Sequence, residues 1–344
     1  MMDTMTMQSS KFPTDAEVVI VGVGGIVGSM LAYWLTELGQ KNIVGLEKST
    51  VIPSDLGSTA HASDFVYNTT HDKLSNWTTA FSRNFYEDNG FFLKKGGLEI
   101  CRKDDDERWE ELKRKVASGK AFGTNVSLIS ASEAKEKFPL LEEESLRGAM
   151  WDPDAGLVVP RSQDVVSFAV ESAKEKGALA TYPDTPAVGF EIENGRLTGV
   201  KTDKGTIKTD KVVIASGIWG PLIGEMAGVP VPLSPVEHPL LFFGPLPQAQ
   251  GAEDFLVYPL LRDQGNSAYV RDTGRLHGGM LEWGYYEDKE PRLVDAEDIG
   301  NPDKTMISPS MRHLNLEEIA EPLEKAFETT PILNELGWDE RSSF

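Results

Sequence analysis

Four glycines fall within seven residues in the stretch VVIVGVGGIVGSMLAYWLTELGQKNIVGLEKS: Gly22, Gly24, Gly25 and Gly28. They separate an apolar run from a helical pattern. Backbone N–H groups there, together with the helix N-terminus, can receive a pyrophosphate, and glycine lets the phosphate approach closely. Glu47 follows about 20 residues on, where an acid accepts the ribose hydroxyls of a dinucleotide. The spacing departs from G-x-G-x-x-G, because position 27 is Val27 and the last glycine comes one residue later. Either Gly24 or Gly25 can be the close-approach glycine, so the four are assigned as a group. Ser58 and Thr59, in LGSTAHAS beside His61, offer hydroxyls to phosphate or ring heteroatoms. A buried strand ending in Ala215, Ser216 and Gly217 lets the backbone pass close to a ligand. In SPVEHPLLFF, period-two alternation puts His238, Leu240 and Phe242 on one strand face, expected to point toward substrate. Tyr269 and Arg271 are two apart and share a face, and Arg271 can meet a carboxylate in a charge-assisted pair.

These residues need elements to hold them. Ala16–Val21 reads as a strand buried on both faces. Ile26, Val27, Met30, Leu31, Trp34, Leu35 and Leu38 then recur at helical spacing up to a C-capping Gly39. NIVGLE gives a second strand ending at Glu47. After it the chain breaks into STVIPSDLGSTAHASDFVYN, which has no helical period and disfavours a nicotinamide dehydrogenase. Farther on, GALATYPDTPAVGFEIENGRLTGVKTDKGTIKTDKVVIASG reads as short strands turning at Glu193-Asn194-Gly195 and Asp203-Lys204-Gly205. The segments 104–118 and 315–330 are amphipathic helices.

The 344 residues suffice for two interleaved domains. With 34 Lys and Arg against 54 Asp and Glu, the net charge of -20 repels nucleic acid and anionic membrane, so neither is an expected partner. Apolar runs fall far short of the roughly 20 residues that span a bilayer. The single Cys101 reads as a small core residue, and the N-terminus shows neither an apolar signal core nor the arginines of a transit peptide; a cytoplasmic protein is expected. His71, His277 and His313 lack partners at metal-ligand spacing, so no metal site is expected. No GxSxG elbow exists for Ser-His-Asp chemistry. The stretch DKEPRLVDAEDIGNPDK reads as an exposed loop.

VVIVGVGGIVG with GLEKS, LGSTAHAS, KKGGLEI, FPLLEEESLRGAMWDPDAG, NGRLTGVKTDKGTIKTDKVVIASGIWG, GVPVPLSPVEH and AYVRDTGRLHGG occur in this order. Together they resemble the flavin-dependent amine oxidases of the D-amino-acid-oxidase superfamily, especially the dimethylglycine and sarcosine dehydrogenase and oxidase group. The resemblance covers nearly the whole chain and implies FAD rather than NAD. With the pattern, it gives a mixed α/β (α+β) fold: a Rossmann-like FAD-binding domain of residues 14–85 and 148–222, interleaved with an antiparallel-sheet substrate domain of 86–147 and 223–340. Residues 1–13 would form a flexible N-terminus.

The resemblance also assigns roles. His61 matches a histidine joined covalently to the flavin, although Asp64 in the following SDF departs from the small residues and proline of the relatives and could bring a negative charge near the ring. His238 and Tyr269 match residues lining the amine site. A substrate amine must lose its proton before its C–H hydride can leave; a histidine titrating near neutrality tunes that step while a phenol orients the lone pair. The expected reaction is oxidation of a small secondary or tertiary amino acid, with oxygen or an electron-transfer protein as final acceptor. A non-catalytic flavin-fold module is the alternative. In the resembling family GWDERSSF is followed by a glycine-rich stretch and a helix that complete the flavin domain, so the expectation for this chain alone is weak FAD binding and low turnover.

Overall fold

The computed structural model describes residues 12–68, 71–286, 292–295, 298–299, 310–339 and 343. Nearly all of the expected flexible N-terminus, most of the polar stretch 288–304 and most of the chain end after Asp339 lie outside the described residues. Strands and helices are numbered in chain order. The glycine-loop unit comprises β1 (Val18–Val21), α1 (Ile26–Glu37) and β2 (Ile43–Leu46), followed by β3 (Phe65–Val66), α2 (Lys73–Asp88) and β4 (Phe92–Lys94). Next come β5 (Gly97–Arg102), α3 (Asp106–Ala121), β6 (Ser127–Ser130), α4 (Ala131–Lys137), β7 (Leu146–Asp152) and β8 (Gly156–Val158). The chain returns through α5 (Ser162–Glu175), β9 (Leu179–Tyr182), the meander β10 (Ala187–Glu193), β11 (Arg196–Thr202) and β12 (Gly205–Lys208), then β13 (Val212–Ile214) and α6 (Gly220–Met226). It ends with β14 (Leu240–Phe243), β15 (Leu260–Asp263), β16 (Ala268–Asp272), β17 (Leu281–Tyr285), α7 (Leu316–Thr329) and α8 (Ile332–Leu336).

A four-stranded parallel sheet, ordered β13-β1-β2-β9, carries the glycine loop. All four residues of β1 are buried, as valines covered on both faces must be. Helices α1 and α5 pack on one face through Val18, Ile20, Val23, Ala32, Val166, Val170 and Ala173. The expected meander forms, and its strands turn at Asn194-Gly195 and Asp203-Lys204 with antiparallel register. Its Val200 and Ile207 cover the other face.

The larger sheet has seven strands, ordered β14-β17-β16-β15-β5-β7-β6. Strand β7, which straddles the expected boundary at residue 148, pairs with β5 and β6. The pairs in this sheet are antiparallel except that β15 runs parallel to β5, where the chain's late return joins the earlier piece. Its main core combines Leu98, Ile100, Phe243 and Trp283 with Phe138, just after α4, and Ile319, Leu323 and Ala326 from α7. Cys101 sits fully buried in β5, where burial raises its thiol to about 11 and leaves it an inert core residue. A small sheet ordered β3-β8-β4 joins the two parts. Among the described residues no helix is long and apolar enough to cross a membrane, and no cluster of ligating side chains is placed to hold a metal ion.

Candidate active site

The glycines divide their labour. Gly22 has φ +97°, and a Cβ there would stand 2.5 Å from the Ala215 carbonyl oxygen. A Cβ on Gly28 would stand 2.2 Å from the Gly22 carbonyl oxygen, so these two let loop, helix and β13 pack together. Gly24 faces Glu47: its N–H donates to Glu47 Oε2 at 2.9 Å, and a Cβ would reach that oxygen at 2.5 Å. Gly25 is different. It caps α1 without a side-chain hydrogen bond, its nearest neighbour for a Cβ is Thr59 Oγ1 at 3.7 Å, and it borders a cavity of ≈ 710 Å³. Gly25 therefore leaves open space on the cavity side of the loop.

That cavity collects most residues assigned to the cofactor. Gly22, Gly25, Glu47, Ser58, Thr59, Ala215 and Gly217 line it. Gly24 and Gly28 stand behind this wall as packing positions. Glu47 is held rigidly, since Oε1 also accepts the Ser49 N–H at 2.9 Å. Thr59 Oγ1 accepts the Ile26 N–H at 3.2 Å and ties the small-residue loop to the first turn of α1. The Ser216 hydroxyl, beside Ala215 and Gly217 on the same wall, is buried without a partner among the described residues. A glycine approach, a helix N-terminus beside it, a fixed carboxylate and an orphan hydroxyl around one large cavity suit the phosphates and ribose of a dinucleotide.

His61 closes the turn that Ser58 begins. Arg161, just before α5, donates from Nη2 to the carbonyls of Ala60 (3.2 Å) and Ala62 (3.1 Å), clamping the loop on both sides of the histidine. Asp64 does not stand free near the cavity: its carboxylate is buried, pairs with Arg161 Nε at 2.7 Å and accepts the Ser162 N–H at 3.0 Å. Burial, and then the Arg161 charge, lowers the pKa of His61 and favours neutral imidazole.

Ser63 joins this loop to the seven-stranded sheet through a 2.9 Å hydrogen bond with the Tyr269 hydroxyl on β16. The ring of Tyr269 lies over Gly284, its cross-strand neighbour on β17, where a Cβ would stand 2.0 Å from it. Phe65 meets the ring edge-on at 5.1 Å, and Tyr286 packs at 5.5 Å. Burial first, then the Glu282 charge, pushes the phenol's pKa well up, so it stays protonated. His238 precedes β14 rather than lying within it, and its ring meets Tyr286 edge-on at 4.8 Å. The structure thus links Tyr269 to His238 through Tyr286.

Arg271 is 2% exposed, and Nη2 pairs with Glu282 Oε2 at 2.6 Å across the β16–β17 register, while Arg271 Nε and Glu282 Oε1 stay buried without a hydrogen-bond partner among the described residues. Sequence reasoning missed Ser63, Arg161, Glu282 and Tyr286. Arg161 and Ser63 act through folding contacts that no spacing reveals, whereas Tyr286, in the GYY run closing β17, carried an aromatic signal.

Residues 17–339 match the family described as FAD dependent oxidoreductase. The chain belongs to this family. FAD is accordingly its cofactor, and the cavity around Gly25 fits it. Among similar proteins, the mitochondrial sarcosine dehydrogenase of Homo sapiens is 27% identical over 96% of this chain and 34% of its own length. The 4-methylaminobutanoate oxidase (formaldehyde-forming) of Paenarthrobacter nicotinovorans is 31% identical over 95% of this chain and 38% of its own. The chain thus spans little more than a third of these relatives. The crystal structure of L-proline dehydrogenase from P. horikoshii superposes with a TM-score of 0.75 at 27% identity, covering 95% of this chain and 80% of that one.

Proposed function

We propose that the protein oxidises the C–N bond of a secondary or tertiary amino acid of the N-methylglycine type. One observation carries the reading: the Ser63–Tyr269 hydrogen bond, which brings the loop of His61 against the strand of the substrate sheet. Two relatives are named for sarcosine and 4-methylaminobutanoate, both N-methylated amino acids. FAD, when bound, supplies the hydride acceptor. His238 takes and holds the ammonium proton, because an amine without a free lone pair cannot expel hydride from the adjacent carbon. Tyr269, protonated throughout the working range, orients the amine by hydrogen bonding rather than by acting as a base. Neutral His61, clamped by Arg161, is the tether to the flavin. Oxygen or an electron-transfer protein then takes the electrons.

Anaerobic addition of sarcosine, dimethylglycine or 4-methylaminobutanoate to the yellow protein tests this. At least one should bleach the flavin, and His238→Ala and Tyr269→Phe should each slow bleaching on the order of 10²- to 10⁴-fold. A yellow protein that none of these amines bleaches would support the non-catalytic module instead. Covalency has its own readout: after acid precipitation colour stays in the pellet, and His61→Ala moves it to the supernatant.

A further inference from the structure

Helix α2 stands apart on the surface of an acidic protein. In a chain of net charge -20, its residues from Lys73 to Tyr86 include Lys73 and Arg83 and no carboxylate. Its outward face is apolar: Leu74 is 70% exposed, Trp77 61% and Phe81 47%. These three, with Asn84 and Asp88, recur at alternating steps of three and four residues, the spacing of a seam that packs against another helix. Aromatic contacts hold the seam in place. Trp77 packs on Phe81 at 5.7 Å, and Phe81 on Trp34 of α1 at 5.6 Å. Phe85 anchors the row inward, against Tyr33 at 5.5 Å and Phe168 of α5 at 6.2 Å. Leu38, one turn beyond Trp34 and fully open, extends the apolar ground at the end of α1. Contiguous exposed apolar surface marks an interaction site, and side chains already ordered lose little entropy on association. The two ends of the seam carry opposite charges, Lys73 in the first turn and Asp88 in the last, both exposed and about 22 Å apart along the helix.

We propose that this face docks a second copy of the chain, α2 against α2, antiparallel about a twofold axis through Phe81. Such an axis sets Phe81 against its own copy and Trp77 against Phe85 of the second copy. At each end it sets Lys73 beside Asp88 of the second copy. An isologous interface needs a patch that is its own complement, and opposite charges at the two ends of one helix supply this in the antiparallel arrangement. A parallel pair would set Lys73 on Lys73 and Asp88 on Asp88. The charge distribution also accounts for the place, because two chains of net charge -20 repel least where neither presents carboxylates along most of the seam. An anionic lipid surface, which exposed Trp, Phe and Leu would also suit, is repelled by the same net charge.

Sedimentation equilibrium of the full chain tests this, with far-UV circular dichroism as the check on folding. The wild type should associate reversibly to a dimer and no further. Phe81→Asp sets two carboxylates against each other at the axis and should raise the dissociation constant on the order of 100-fold, with an unchanged dichroism spectrum. Lys73→Glu and Asp88→Lys should each weaken the dimer on the order of 3- to 30-fold, and the two together should restore it, because the pair is then only exchanged. A wild-type chain that stays monomeric at every concentration overturns the proposal. So does a dimer that Phe81→Asp leaves intact, or a pair of charge variants whose losses add instead of cancelling. Flotation of a monomeric wild-type chain with vesicles of phosphatidylcholine and phosphatidylserine would assign the face to lipid and equally overturn it.

Discussion

Gly25 and Gly28 lack a side chain in opposite settings, one opening onto a cavity and the other where the chain passes itself. A Cβ on Gly25 meets open cavity, whereas a Cβ on Gly28 collides with the Gly22 backbone. Gly25→Val should therefore yield a protein that melts normally as apoprotein but holds little flavin, read as flavin absorbance per chain. Gly28→Val should lower stability by about 1–3 kcal/mol, the range of an overpacked core. Loss of flavin with equal destabilisation in both variants would contradict this division. The sequence carried the glycine group and Glu47, since their meaning lies in local spacing. It could not separate the four roles, because Ala215 and Glu47, which press on Gly22 and Gly24, arrive from other strands.

At the scale of elements, Arg161 binds the His61 loop to the start of α5. Its guanidinium serves the Ala60 and Ala62 carbonyls while neutralising a buried Asp64. Arg161→Met removes both, leaving an unpaired carboxylate in a dry place, and should cost on the order of 3–5 kcal/mol by denaturant unfolding. Adding Asp64→Asn should recover most of that stability, yet the fraction of flavin surviving acid precipitation should stay low, because the loop remains unclamped. Recovery of the covalent fraction in the double variant would show that Arg161 acts only through Asp64. The hairpin turns of the meander were legible, since Asn194-Gly195 demands a left-handed turn. The allegiance of β7 and the parallel β15–β5 pair were not, because they depend on which distant strand each segment meets. The same holds for Arg271. Period two placed it on the face of Tyr269, but only the register shows Glu282 opposite it.

Over the whole molecule, the acidic excess and the buried carboxylates set how stability responds to pH. Asp64, Asp152, Asp263 and Asp272 all have pKa values raised chiefly by burial, Asp263 to about 6. A carboxyl whose folded pKa exceeds its unfolded value weakens the fold when ionised. Its contribution is fully favourable below the unfolded pKa near 3.8 and is lost as pH rises through the folded value. The net charge of -20 works in the same direction, because self-repulsion falls as pH drops toward the isoelectric point near 4.7. His61 and His277 oppose this: their lowered pKa values favour the neutral rings, so stability is lost as pH falls from 6.5 through their folded values. Asp263 isolates the carboxylate effect, since it is 6% exposed at the end of β15 with Arg102 and Arg108 as its nearest compensating charges. Asp263→Asn should stabilise the protein at about pH 8 on the order of 1–3 kcal/mol and flatten the dependence between about pH 6 and pH 4. Below about pH 4, where the wild-type carboxyl is neutral in both states, the two proteins should melt together. If Asp263→Asn is destabilising at about pH 8, the two arginines outweigh burial and the carboxylate is a structural ion rather than a strained one.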